Sequence, residues 1–161
     1  MSAESKSGEK QALETALAAC LSEVCPGGRL GLGVDLQLIR EINIDNPNFL
    51  ERNFTEAEIA YCQAAPDPHA SFAGRWAAKE AVAKAVMNLV PEGPNLSKGA
   101  GAPLLDVEIV PLPSGAPGVR FSGYAEETVR RLGITEVRLS ISHSGEYVAA
   151  GVVVIAEVPV K

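Results

Sequence analysis

The chain has 161 residues, a hydrophobic fraction of 47% and a formal net charge of −6. A chain of this length is one domain, or one domain with a tail, and it buries about 70% of its unfolded surface, so folding needs neither a disulfide nor a metal. The acidic balance excludes a general nucleic-acid binder, which needs a basic face to displace counterions; it leaves room for a small phosphorylated ligand, or for an acidic protein partner met by a local cluster of Lys and Arg.

Met1–Lys10 is polar, lacks the apolar segment of a signal peptide, and is expected to be disordered. Leu13, Leu17 and Leu21 recur at a spacing of four, which predicts an amphipathic helix over Gln11–Val24, ended by Pro26-Gly27-Gly28. Residues 1–28 therefore read as a tail and linker helix, and residues 29–161 as the folded domain. Leu30–Leu38 predicts an apolar strand interrupted by Asp35, and Asn43–Asn48 a loop with Asp-Asn-Pro turn chemistry. Thr55-Glu56-Ala57-Glu58 fits a capping box, so a helix is expected from Glu56 to Ala64, and Asp67-Pro68 opens a longer one over His69–Leu89. Pro91–Pro103 reads as a mobile loop. Leu104–Val110 and Val119–Ser122 predict strands around a Gly-Pro turn, and Tyr124–Leu132 a helix stopped by Gly133. Glu136–Ser142 and Tyr147–Ile155 predict strands around His143-Ser144-Gly145-Glu146. The order is β-α-α-β-β-α-β-β, which implies an α+β fold with mainly antiparallel pairing.

The three cysteines, Cys20, Cys25 and Cys62, are odd in number and form no C-x-x-C pair, so reduced thiols in a cytoplasmic protein are expected. Tyr147–Ala156, the longest apolar run, is too short for a membrane helix.

Four segments place polar chemistry where a plain core would not. Asp35 interrupts the strand Gly31–Leu36. A buried carboxylate is costly unless it is paired or bound to a cation, whereas an edge-strand Asp can face water; the residues alone leave both readings open. Within Phe72–Ala85, Trp76, Glu80 and Lys84 share a stripe at i, i+4, i+8, with Arg75 and Lys79 on adjacent rows. Glu80 and Lys84 also suit an ordinary surface pair, worth about 0.3–0.5 kcal/mol. His143, after Ser142, ends a strand at a turn, the place of a binding side chain or of a turn cap. Lys98, within Ser97–Ala102, stands among small residues that let a backbone approach a phosphate, or that simply form a flexible loop.

Together Gly33-Val34-Asp35, Gly74–Ala85 and Ser140–His143 resemble, in order and spacing, the small phosphopantetheinyl transferases of the holo-acyl-carrier-protein synthase type. The resemblance covers Leu30–Ala156. Ile42–Ala65 and the Ser-Lys-Gly-Ala-Gly-Ala loop are most similar to the transferase domain at the C-terminal end of the fungal type I fatty acid synthase α chain.

The resemblance implies a single compact lobe around a long central helix. It also implies transfer of 4′-phosphopantetheine from coenzyme A to a serine of an apo acyl-carrier domain, with release of 3′,5′-ADP, in fatty acid biosynthesis. By the same resemblance Asp35 and Glu80 hold Mg²⁺, and Glu80 is placed to take the serine proton. Lys84 is assigned to catalysis and to a phosphate, with Arg75, Ser142, His143 and Lys98 also toward the coenzyme. Arg40 and the weaker Arg52 are expected to meet an acidic carrier, and the small type completes its site by self-association, most simply as a homotrimer. The longer, two-lobed members carry Asp-x-Glu where this chain has Asp35-Leu36-Gln37, so Gln37 adds no charge to the site.

Two other readings compete. One is a catalytically idle domain that docks carriers on the same fold. The other is an unrelated nucleotide-binding module, which the absence of G-x-G-x-x-G and of G-x-x-x-x-G-K-[ST] disfavours.

Overall fold

The computed structural model of the chain describes residues 28–90 and 104–157. The expected tail and linker helix over residues 1–27, the loop over 91–103 and Lys98 lie outside these residues. In chain order the described elements are β1 (Gly28–Leu38), a 3-10 turn (Ile39–Glu41), α1 (Pro47–Asn53), α2 (Glu56–Gln63) and α3 (Pro68–Met87). A second 3-10 turn (Leu104–Asp106), β2 (Val107–Pro111), β3 (Pro117–Phe121), α4 (Gly123–Leu132), β4 (Ile134–Ser144) and β5 (Tyr147–Glu157) follow.

The α+β expectation holds. β1, β5 and β4 form an antiparallel sheet in that order, and β2 and β3 pair as a separate antiparallel hairpin. β4 and β5 each run two residues further than expected at their outer ends. β4 also reaches Ser144, which narrows the hairpin turn to Gly145-Glu146, with Gly145 at φ +58°. Leu104–Asp106 is a 3-10 turn instead of the start of a strand.

One expected loop is in part a helix. Asn46 accepts from Phe49 N and Pro47 occupies the first turn, so the Asp-Asn-Pro stretch caps α1. Tertiary packing makes this short helix worthwhile: Phe49 meets Trp76 at 5.3 Å between ring centroids, and Phe54, just past its end, meets Phe72 at 5.1 Å.

The fold is organised around α3. Asp67 caps it by accepting from Ala70 N. One face carries Gly74, Ala77, Ala78, Ala81 and Ala85, and lies against the sheet with these residues buried. Small residues allow the backbones to approach closely, and β1 answers with glycines. A Cβ on Gly31 would stand 2.1 Å from Ala85 O, and one on Gly33 1.9 Å from Ala81 O. From β5, Val148, Ala150, Val152 and Val154 complete this face of the core. The opposite face of α3, with Phe72, Arg75, Lys79 and Val82, is covered from the side of α1, α2 and β2. Among the described residues no helix is long and apolar enough to cross a membrane.

Candidate functional site

Strand alternation decides where Asp35 goes. Gly31 and Gly33 face α3, so Asp35 faces it too, opposite buried Ala150 of β5. Although β1 is an edge strand, the Asp35 side chain is only 16% exposed. Its Oδ1 lies 2.7 Å from Lys84 Nζ, which also donates to Val34 O at 3.2 Å. The reading of Asp35 as a water-facing edge residue is thereby set aside, and so is the surface pair between Glu80 and Lys84: the partner of Lys84 is Asp35.

Glu80 sits one turn before Lys84 on the same flank of α3, half-buried, with no hydrogen-bond or ion-pair partner among the described residues. Since β1 contacts α3 first at Ala85 and then at Ala81, Asp35 continues along β1 toward the turn that carries Glu80. Their carboxylates are hard oxygen donors of the kind that could hold Mg²⁺. Among the described residues no group of three or more His, Cys, Asp or Glu side chains that could hold a metal ion is present. Trp76, the third member of the stripe, belongs to the aromatic cluster with Phe49 and Phe54.

Gln37 lies on the α3 side of β1, two residues beyond Asp35 and opposite buried Val148. Its amide donates to Leu38 O at 3.1 Å, leaving the side-chain oxygen as an acceptor.

His143 ends β4 over Gly74, with Nε2 3.1 Å from Ala70 O. A carbonyl only accepts, so Nε2 carries the proton and Nδ1 is left for another partner. Ser142 alternates to the other face of the sheet and does not share the side on which His143 meets α3. Arg75 is buried, with its guanidinium 3.9 Å from the Tyr61 ring centroid, and it donates to Ser71 Oγ at 3.2 Å. Its Nε is buried without a hydrogen-bond partner among the described residues. Arg75 thus stands on the α2 side of α3, away from Asp35. Arg40 lies beside the turn between β4 and β5, 3.4 Å from Glu146, and Arg52 is exposed in the last turn of α1.

The sequence reading gave Lys79 no role of its own. It is 0% exposed and paired at 2.7 Å with Glu58, itself 1% exposed. Glu58 is the capping-box residue of α2, as expected, and is also the buried partner of a helix 21 positions further on. Burial pulls the Lys79 ammonium below its ordinary value, and the Glu58 carboxylate pulls the other way. The sequence signal was a lysine that shares its helix face with Phe72 and Val82. Cys62 is buried, and desolvation pushes its thiol up, opposed by a hydrogen bond with Ser71 and the nearby Arg75 charge.

Comparison with known proteins bears on this arrangement. The profile of the 4′-phosphopantetheinyl transferase superfamily matches residues 31–150. The fatty acid synthase subunit alpha of Schizosaccharomyces pombe is 52% identical over 112 residues, 70% of this chain, and that of Saccharomyces cerevisiae 48% over 113 residues, also 70%. The matched region is only 6% of either relative's length. Among solved structures, the apo-ACPS of Chronobacterium ammoniagenes superposes with a TM-score of 0.70 at 26% identity, covering 81% of this chain and 99% of that one. The holo-[acyl-carrier-protein] synthase of Helicobacter pylori in complex with coenzyme A gives a TM-score of 0.61 at 30% identity, covering 76% and 98%.

Proposed function

The chain belongs to the 4′-phosphopantetheinyl transferase superfamily, and on that premise we propose that it transfers 4′-phosphopantetheine from coenzyme A to a serine of an acyl-carrier domain in fatty acid synthesis. The observation that carries this reading is the Asp35–Lys84 pair on the flank of α3 where Glu80, without a partner among the described residues, lies one turn away. Solved relatives with coenzyme A bound and the fatty acid synthase relatives support the choice of donor and setting.

In this reaction the serine oxygen attacks the β-phosphorus of the coenzyme. A new P–O bond forms, the bond to the bridging oxygen breaks, and 3′,5′-ADP leaves. Asp35 and Glu80 are the side chains that hold Mg²⁺, which, when bound, offsets the negative charge of the pyrophosphate and orients it. Glu80 is also placed to accept the serine proton, since it has no other partner among the described residues. The Lys84 side chain is 50% exposed and offers its ammonium to a phosphate oxygen once it moves from Asp35. His143, with Nε2 held by Ala70, presents its other nitrogen to the coenzyme.

The outer face of the three-stranded sheet supports self-association, which we take as a homotrimer. Val34 is 59% exposed and Leu36 64%, with Tyr147 beside them on β5. An apolar strand face left open in this way suits a second copy of the chain. Arg40 and Arg52 are exposed cations available to an acidic carrier.

The proposal is tested by incubating the chain with coenzyme A, Mg²⁺ and an apo acyl-carrier domain, and following 3′,5′-ADP release. Release that requires all three components supports transfer. Coenzyme binding and carrier docking without release would support the idle-scaffold reading instead.

A further inference from the structure

We propose that Lys79, together with Glu58, is a positioning residue that sets the rotation of α3 and thereby aims Glu80. The inference rests on the transferase reading only in the role given to Glu80. The Lys79 ammonium has three donors, and all three are used: Glu58 Oε2 at 2.7 Å, Asn53 O at 2.7 Å and Leu104 O at 2.9 Å. Glu58 is equally satisfied, since Oε1 accepts from Ile109 N and Oε2 from Thr55 N, both at 2.9 Å. One buried pair therefore joins α3 to the end of α1, the start of α2, the turn before β2, and β2 itself.

The contrast with the other face of α3 gives this network its meaning. There Ala81 and Ala85 rest on Gly31 and Gly33. On that face the helix itself brings only Gly and Ala, which hold it near the sheet without a branched side chain of its own to lock into a groove, and its side-chain bond to Asp35 comes from the half-exposed Lys84. Directional hydrogen bonds do resist. Glu80 is the next residue after Lys79, about 100° further round at 3.6 residues per turn, so the rotation that Lys79 fixes is the rotation that directs Glu80. Buried ion pairs contribute little net stability compared with apolar residues of the same volume, which leaves orientation as the role this one fits. Lys79 touches neither coenzyme nor carrier in this scheme and acts through its neighbour.

The test is the double variant Glu58→Leu/Lys79→Met in the full chain, which removes both charges together and so strands neither. Val82→Ala, a buried α3 residue outside the network, is the control. Mn²⁺ binding followed by electron paramagnetic resonance reports the Asp35–Glu80 pair without any turnover. We expect the double variant to fold, to bind Mn²⁺ about 10–100-fold more weakly, and to lose kcat to a similar degree with KM for coenzyme A little changed. Val82→Ala should melt earlier yet keep wild-type Mn²⁺ affinity and kcat. A folded double variant with wild-type Mn²⁺ affinity overturns the proposal, and so does a Val82→Ala variant with the same losses. If the double variant unfolds, Glu58→Gln/Lys79→Met decides by the same two readouts, because it keeps the shape of Glu58 and still strands no charge. A wild-type chain that binds Mn²⁺ but transfers nothing would defeat the transferase reading and leave the Mn²⁺ comparison to decide this one. A wild-type chain that binds no Mn²⁺ overturns it.

Discussion

Replacing Gly33 by Ala probes the contact on which the site is built. The added Cβ would lie 1.9 Å from Ala81 O and 2.7 Å from Ala85 N. Both neighbours are helix backbone atoms, so neither can rotate aside. Reaching an ordinary contact of about 3.5 Å means moving β1 and α3 apart by about 1.5 Å. Overpacking of this kind costs about 1–3 kcal/mol, and a rigid backbone neighbour argues for the upper end. At about 2–4 °C per kcal/mol for a domain of this size, Tm should fall by about 6–12 °C. The chemical effect should be larger. Asp35 is two residues along the same strand face, and a displacement of 1 Å in a reacting geometry costs about a hundredfold in rate. Thermal melting and the rate of carrier modification, measured below the lowered Tm, separate the two losses. A Gly33→Ala protein with wild-type Tm and rate would refute the seating of β1 on α3 described above.

Other outcomes follow from the same geometry. Gln37→Ala should cost about 10–100-fold in rate, as for an outer-shell partner of a metal, whereas Gln37→Glu should be tolerated and reach full rate at lower Mg²⁺; indifference to both would show that Gln37 is not on the Asp35 side. Leu36→Glu puts a charge on the open sheet face and should yield a monomer by sedimentation with reduced transfer; unchanged association would assign the contact to another surface. Cys62 has a folded pKa raised above its ordinary 9.0, so its contribution to stability is complete below that pH and is lost as pH rises through the folded value. Tm should therefore fall above pH 9, and Cys62→Ala should flatten that fall; identical slopes would contradict it.

How much of this was legible in the sequence varied by residue. Helical spacing puts Glu80 and Lys84 on one stripe whatever packs nearby, but it suits a surface pair equally well, and their site roles rest on the family resemblance. Asp35 was visible as a carboxylate in an apolar strand, but which face it took depended on Gly31 and Gly33, whose close approach to α3 only the fold reveals. A Gly-x-Gly within a strand was the available signal. α1 was read as a turn because Asn46-Pro47 serves a turn and a helix cap equally well, and the aromatic contact that decides between them comes from Trp76, some 30 positions away. Lys79 was passed over for a similar reason: its partner Glu58 already had a sufficient local explanation as a capping residue. Arg75 carried the family pattern, yet its guanidinium is spent in the described structure on Tyr61 and Ser71, which sequence spacing could not anticipate.

The central claim is that Asp35 and Glu80 form the heart of a transferase site. The most direct test is the intact mass of an apo acyl-carrier domain after incubation with coenzyme A, Mg²⁺ and either the wild-type chain or Glu80→Gln or Asp35→Asn. The wild type should convert the carrier to its phosphopantetheinylated form, and each folded variant should do so at least about a hundredfold more slowly, as for loss of a transition-state charge partner. A carrier left unmodified by the wild type, or modified equally fast by the variants, would contradict the account.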